Sequence, residues 1–307
     1  MSTSSKNMRQ EFADTMLEVG TRDEELVVVV GDISHGILQP FAKACPERYF
    51  NIGILEPTMM SLGAGMAKVG LKPVLHTIAP FIIERSFEQI KLDFCYHQLG
   101  GNIISVGSAF DYSNLGCTHH CYSDFALLKT LPNTEVLYPA SALEFNALFK
   151  QTYRNDKVTY FRLPGRMHSL KFNKDDISLG KGILVEKGDD LSVVATGPHL
   201  DTAMEIRQKL AAEGKSAEII YIHTVRPLDE ELIVQSVAKT GNVIVIEEHM
   251  RSGGLGDDVL RAISALPETR FYSASIPDRF VTGYGTYDEL LESVGLTCDQ
   301  IIEKLSW

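Results

Sequence analysis

The chain is short of the features that usually announce a chemistry. Its 307 residues include 1 Trp and 5 Cys, and Cys45, Cys95, Cys117, Cys121 and Cys298 stand at irregular spacing. That pattern excludes a disulfide framework and fits reduced thiols. Long apolar runs are missing too: the longest, Leu26-Val27-Val28-Val29-Val30, has strand length and cannot span a bilayer. The stretch from Met1 to Phe12 is polar and has no signal-peptide core. Together these predict a cytoplasmic protein with no membrane partner. Basic residues are outnumbered, 29 Lys and Arg against 40 Asp and Glu, for a net charge of -11 and no local basic patch. Such a surface repels a phosphodiester backbone, so nucleic acid is excluded as a partner. No Walker spacing, GxSxG elbow, HExxH or CxxC pair occurs. Gly63-Ala64-Gly65 lies inside a helical pattern with Lys68 where the dinucleotide fingerprint needs its third glycine, and suits close helix packing instead.

What the chain does have is core-forming material, 44% hydrophobic against 22% charged residues, enough for two domains. Strand-like and helix-like segments alternate. Val27–Val30, Val74–Ile78, Asn102–Val106, Glu135–Tyr138 and Val158–Leu163 read as strands, with helices over Pro57–Val69, Phe81–Tyr96 and Ala142–Arg154. The stretch from Pro164 to Gly188 is polar and aperiodic and reads as a linker. A second series follows, with strands over Leu191–Thr196, Ala217–Ile222, Val243–Glu247 and Arg270–Ser275. Its helices fall over Leu200–Glu213, Leu228–Lys239, Asp257–Leu266, Tyr287–Val294 and Cys298–Leu305. The expected fold is α/β: two tandem doubly wound domains with mostly parallel sheets, 1–180 and 188–307.

Four clusters bear on chemistry. In Gly53-Ile54-Leu55-Glu56-Pro57 the proline opens a helix, which places Glu56 at or beside the N-cap. Its plainer reading is a carboxylate favoured by the helix dipole; the sharper one is a carboxyl among Ile54, Leu55 and Met59 that holds or donates a proton. Gly116-Cys117-Thr118-His119-His120-Cys121 invites a zinc reading, but structural zinc draws on two separated pairs and adjacent histidines do not face one ion easily. A loop presenting one imidazole to a site is the better functional reading, and a histidine with no role the alternative. Gly253-Gly254-Leu255-Gly256 follows a strand and opens a helix, so it is an anion site or a tight turn, the turn being favoured. His76-Thr77-Ile78-Ala79-Pro80-Phe81 is a strand end running into a helix, where ligands bind in parallel sheets and where Phe81 either packs in the core or stacks on a flat ring.

Taken in order, these pieces resemble the C-terminal half of the transketolase family, its pyrimidine-binding and C-terminal domains. Gly31-Asp32-Ile33-Ser34 resembles the opening motif of the pyrimidine domain, and Arg48-Tyr49-Phe50-Asn51-Ile52-Gly53-Ile54-Leu55-Glu56 the segment carrying the catalytic glutamate. Phe81 to Gln89 resembles the aromatic-bearing helix start of the aminopyrimidine pocket, and Gly116-Cys117-Thr118-His119 the loop supplying a histidine near the reacting carbons. Ile246-Glu247-Glu248-His249 and Gly253-Gly254-Leu255-Gly256 resemble the C-terminal domain. The resemblance implies thiamine diphosphate as cofactor, with Glu56 and His119 as catalytic groups. It also implies Asp32, Ile54, Ile78 and Phe81 around the cofactor, a one-residue slip putting Ile82 in place of Phe81. Arg162 matches a phosphate-contacting arginine, and His35, His119 and His120, with Asp111, are candidate substrate contacts.

The family's Gly-Asp-Gly…Asn diphosphate motif is missing, and Gly188-Asp189-Asp190 runs straight into a strand. The resemblance therefore implies one subunit of a split enzyme. An N-terminal partner would hold most of the diphosphate and Mg²⁺ in an α2β2 heterotetramer. Gly36, Gly107 and Leu115 stand where the family has a serine, a histidine and an aspartate, which implies a substrate other than a simple phosphoketose. A nucleotide-linked or unphosphorylated sugar and a 2-oxo acid are the options. Competing readings are the beta subunit of a 2-oxo acid dehydrogenase, half of a split deoxyxylulose-phosphate synthase, and a non-catalytic dimerisation subunit.

Overall fold

The computed structural model describes residues 6–305. Among these residues twelve strands form two sheets. The first combines β1 (Leu26–Val30), β2 (Tyr49–Asn51), β3 (Lys72–Ile78), β4 (Gly101–Val106), β5 (Thr134–Leu137) and β6 (Val158–Leu163). The second combines β7 (Ile183–Glu186), β8 (Leu191–Thr196), β9 (Ala217–Ile222), β11 (Asn242–Met250) and β12 (Arg270–Ile276), while β10 (Thr224–Arg226) crosses back to the first. The spatial orders are β10-β5-β6-β4-β3-β1-β2 and β12-β11-β8-β9-β7. Every pairing is parallel except the two edges, β10 on β5 and β7 on β9. The expected α/β class with two mostly parallel sheets is what the chain adopts.

The valine run explains the first sheet's centre. In β1 alternate side chains go to opposite faces. Val28 and Val30 join Phe12, Phe145, Phe149 and Phe161 on one side, and Val27 and Val29 join Met59, Leu75, Phe94 and Tyr160 on the other. With helices on both faces the sheet is sealed, and its ligand-accessible part is the crevice beyond the strand C-termini where the winding order reverses. In this sheet the reversal falls between β1 and β3, since β2 lies on one side of β1 and β3 on the other.

Several elements differ from expectation. A helix over Met8–Gly20, capped by Asn7 Oδ1 accepting from Gln10 N at 2.8 Å, was not anticipated. Its signal was legible: the cap residue, followed by Met8, Phe12, Met16 and Val19 at helical spacing, all buried. The Pro164–Gly188 stretch contains β7, an edge strand that escapes notice because its side chains are only partly buried. The single helix expected over Phe81–Tyr96 is instead broken into Ala79–Ile83, Phe87–Gln89 and a π-helical Ile90–Tyr96. At the break Arg85 N donates to Pro80 O, five residues back, and Ser86 Oγ donates to Phe81 O. Such widened turns often mark functional sites, and this one bears on the site described next.

Candidate active site

Four loops converge on the crevice, one from the C-terminal end of each of β1 to β4. The loop after β1 carries Asp32, whose φ of 57 puts it in the left-handed region. Asp32 N and Gly53 N both donate to Asn51 Oδ1 at 3.1 Å, and Asn51 Nδ2 returns a bond to Asp32 Oδ1. This Asp32–Asn51 pair ties the ends of β1 and β2 and fixes the turn that delivers Glu56. Glu56 is the first residue of the Glu56–Lys68 helix, with Leu55 as N-cap and Pro57 just inside.

Glu56 is 1% exposed. Its Oε2 accepts from Arg85 Nη1 at 2.9 Å, while Oε1 is buried with no hydrogen-bond partner among the described residues. The seclusion does not come from the neighbours expected to provide it. Met59 is buried, but Ile54 and Leu55 are 66% and 53% exposed and point outward. They present apolar surface at the rim instead of burying the carboxyl. The broken helix after β3 supplies the other wall. Arg85 lies over the Phe81 ring at 4.4 Å while holding Glu56. Phe81, half-buried, faces His119 with ring centroids 5.1 Å apart, whereas Ile82 is fully buried in the core. Ile78, half-buried, ends β3 beside them.

The loop after β4 brings His119 back over the crevice. Its Nδ1 pairs with Thr118 Oγ1 at 2.9 Å, and its ring sits edge-on to Phe81 and to Tyr112. The far end of the loop is anchored where Ser123 Oγ donates to Glu84 Oε1 at 2.5 Å. Partial burial and the nearby Asp124 raise the pKa of Glu84.

Other expected residues lie elsewhere. His120 is turned from the crevice: it is buried edge-on against Phe110, 5.4 Å between centroids, and burial lowers its pKa. His119 and His120 thus face apart, and among the described residues no group of three or more His, Cys, Asp and Glu side chains could hold a metal ion. His35 is exposed and engaged by Tyr49 OH at 2.9 Å and Gln39 Nε2 at 3.1 Å. Asp111 spends Oδ2 on the backbone N–H groups of Ser108 and Gly165. Arg162 departs furthest from expectation. It is fully buried, with Nη1 donating to Glu248 O at 3.0 Å, Nη2 to Cys121 O, and Nε 3.3 Å from Asp124 Oδ2. The guanidinium is sandwiched between Phe125 and Tyr138, so it offers no donor to a substrate in this arrangement.

The glycine-rich turn after β11 is occupied from within. Both carboxylate oxygens of buried Glu247 accept helix N-terminal bonds, from Leu255 N at 2.6 Å and Gly256 N at 2.8 Å. A Cβ at Gly254 would lie 2.4 Å from that carboxylate, so the glycine is required by close approach. No room is left for an external anion.

One residue at the crevice was missed. Arg9, exposed on the first helix, donates Nη2 to Ser34 Oγ at 3.0 Å, and Ser34 Oγ lies 2.8 Å from His76 Nε2. His76 Nδ1 donates to Ile104 O at 2.8 Å, and burial pushes the His76 pKa down to about 3, so the ring stays neutral. Because the helix was unanticipated, its arginine could not be placed.

A buried carboxylate with one oxygen spoken for and one unused, set beside half-exposed rings at the switch point of a parallel sheet, suits a flat, weakly basic nitrogen heterocycle. An unpartnered buried oxygen is costly unless a ligand donor meets it. The fold and crevice therefore define a two-sheet α/β protein with a buried carboxyl at the switch point of its first sheet. The transketolase pyrimidine-binding domain matches residues 4–168, and the transketolase C-terminal domain matches 180–301. The chain belongs to the transketolase family. It is 32% identical over 291 residues to a subunit of the apulose-4-phosphate transketolase of Phocaeicola vulgatus, covering 94% of this chain and 93% of that one. It is 28% identical over 297 residues to the 6-deoxy-6-sulfo-D-fructose transketolase subunit SqwH of a Clostridium species, covering 96% and 92%. Against the 1-deoxy-D-xylulose-5-phosphate synthase of Heliobacterium modesticaldum the identity is 30%, and the chain spans only 45% of that protein. A solved split-gene transketolase, described as an inactive beta4 tetramer, superposes with a TM-score of 0.87 at 32% identity, covering 96% of each chain.

Proposed function

We propose that this chain is the C-terminal subunit of a two-component, thiamine diphosphate-dependent transketolase-like enzyme. It would transfer a two-carbon unit from a ketose or 2-oxo acid donor to an aldehyde acceptor. The observation that carries the reading is the unpartnered, buried Oε1 of Glu56. The near full-length match to two proteins named as transketolase subunits supports it. These matches, with the split-gene neighbour, also support an N-terminal partner that would hold the diphosphate and Mg²⁺, in an α2β2 heterotetramer.

Bound thiamine diphosphate supplies a carbanion-stabilising centre for breaking and forming the carbon–carbon bond. This chain's residues do the rest. Glu56 would share a proton at Oε1 with a bound heterocycle, and Arg85 fixes the carboxyl through Oε2. Phe81, Ile54 and Ile78 would line the heterocycle. Asp32 acts through Asn51 on the turn that carries Glu56. His119, whose Nδ1 is engaged by Thr118, turns Nε2 to the substrate and moves a proton at its oxygen. Arg9 and His35 line the approach.

Calorimetry separates the arrangements. The isolated chain should bind thiamine diphosphate with Mg²⁺ weakly or not at all, and the chain assembled with its diphosphate-binding partner should bind it tightly. Tight metal-dependent binding by the chain alone would overturn the split arrangement. The similarity to deoxyxylulose-phosphate synthases favours a second reading, half of a split synthase. Formation of 1-deoxy-D-xylulose 5-phosphate by the assembled enzyme, and not CO2 release alone, would identify that case.

A further inference from the structure

The loop that carries His119 does a second thing at the crevice. β4 is followed by Gly107, which has φ +92 and no side chain, yet the space above it is not open. A Cβ built at position 107 would lie 2.7 Å from Tyr112 Cε2 and 3.1 Å from Cδ2. The Tyr112 ring thus lies across the end of β4, where a longer side chain at 107 would otherwise project. On its other side Tyr112 meets His119, ring centroids 5.9 Å apart at 65°, and His119 meets Phe81 at 5.1 Å and 73°. Phe81, His119 and Tyr112 are all half-buried and form one continuous wall from the Glu56–Arg85 pair to the end of β4.

Tyr112 is held in place. Its neighbour Asp111 binds Ser108 N at 2.6 Å and Gly165 N at 2.8 Å through one oxygen, which staples the loop to the chain leaving β6. The turn is closed by Leu115 N donating to Tyr112 O at 2.9 Å. The guanidinium of Arg9 is close enough to act on the phenol, countering the upward push of burial on the Tyr112 pKa.

We propose that Tyr112 is the specificity-determining residue of this site, a ring that fills the place left by Gly107, braces His119 and limits the length of substrate chain that fits between His119 and the end of β4. This rests on the transketolase-like reading above. A substrate carbon chain extending along the wall meets the phenol, so short acceptors are accommodated and longer ones collide with it. Removing the ring opens room for several methylene-sized groups, and one such group in a pocket is worth about 10–200-fold in selection.

The test uses the enzyme assembled from both subunits and a series of unbranched hydroxyaldehyde acceptors from two to six carbons. Tyr112→Ala should shift the ratio of kcat/KM for long over short acceptors upward at least tenfold. Tyr112→Phe, which keeps the ring, should leave that ratio within about threefold of the parent. Thiamine diphosphate affinity, measured by calorimetry, should be the same in both variants. An unchanged length profile in Tyr112→Ala, or an equal loss across all acceptors, would overturn the proposal, because a merely structural role scales every acceptor alike. A parent complex that neither binds the cofactor nor uses any aldehyde would instead overturn the function itself, and this inference with it.

Discussion

Arg85 Nη1 stands 2.9 Å from Glu56 Oε2, and the other oxygen of the same carboxyl is buried without a partner among the described residues. One half of the group is anchored by a protein cation and the other half is offered. Glu56→Gln keeps an acceptor for Arg85 but gives up the carboxyl proton. Two-carbon transfer by the assembled enzyme should fall by about 10²–10⁴-fold, the range of a positioned acid–base group. The thermal midpoint of the variant should stay within a few degrees of the parent. Activity within tenfold of the parent would mean that the carboxyl is structural.

The same pair predicts a stability effect of defined sign. Arg85→Ala leaves a buried carboxylate without its cation. Removing one partner of a fully buried pair costs about 3–5 kcal/mol. The Arg85 side chain is 46% exposed, so solvent screens it and about 1–2 kcal/mol is the better expectation. Adding Glu56→Gln to Arg85→Ala should recover most of that loss in urea titrations of the chain. Additive losses would show that the two side chains are not coupled.

Acidification should destabilise the fold. Burial lowers the pKa of His76 to about 3 and of His199 and His249 to about 4. In the unfolded chain each takes a proton near 6.5, so the unfolded state binds more protons from there down to the folded values. Stability present above pH 6.5 is therefore lost as pH falls, up to about 3 kcal/mol for a histidine moved to about 4. Glu247 works the other way. Burial raises it to about 7, so its contribution is full below the unfolded value and is lost as pH rises toward 7. Three histidines outweigh one glutamate, and the unfolding free energy should drop by on the order of 3 kcal/mol between pH 7 and pH 5. A rise over that interval would reverse the assignment.

The course of the chain was largely legible, and the side-chain directions were not. The consecutive valine run and helix punctuation disclosed the parallel strands, because composition and capping are local. The crossing of β10 to the first sheet, where Thr224 pairs with Leu137, was invisible, since a three-residue strand is placed by its partner and not by its own pattern. Among site residues, Glu56, Phe81 and His119 come together because each follows a strand C-terminus, a place the sequence does mark. Nothing local distinguishes His119, which faces the crevice, from His120, which faces Phe110. The direction of a side chain in an irregular loop is set by contacts distant in sequence. Arg162 shows the same limit within a strand: its position in β6 was correct, but the carbonyls of Cys121 and Glu248 that claim it lie 41 and 86 residues away.

Arg162 accordingly yields its own test. Held by Asp124 and two carbonyls without solvent, it should act on stability. Arg162→Met leaves Asp124 unpaired and should cost about 3–5 kcal/mol in denaturant unfolding. The KM for the donor should change little in whatever folded complex is recovered. A raised KM with unchanged unfolding would restore Arg162 to the substrate site.

The partner should meet the chain along one apolar edge. Leu55, Leu62 and Val69 recur every seven residues from the cap to the end of the Glu56–Lys68 helix, so they share a face. They are 53%, 38% and 77% exposed. Ser61 Oγ donates to Asp93 Oδ2 at 2.6 Å and ties this helix to the π-helical turn carrying Leu92 and Tyr96, which are also exposed. Gly65, on the same helix, has no atom within 4 Å of where a Cβ would stand. Apolar clusters of this kind on a folded surface mark contact sites. The helix begins at Glu56, so whatever covers this face also approaches the carboxyl, as the diphosphate-binding partner proposed above would. Leu62→Asp or Val69→Asp puts a charge on an already exposed position and should change the chain's own stability by no more than about 0.5 kcal/mol. Either should release the diphosphate-binding subunit in co-purification and abolish tight thiamine diphosphate binding. Retention of an intact, cofactor-binding complex by Leu62→Asp/Val69→Asp together would place the partner on another face.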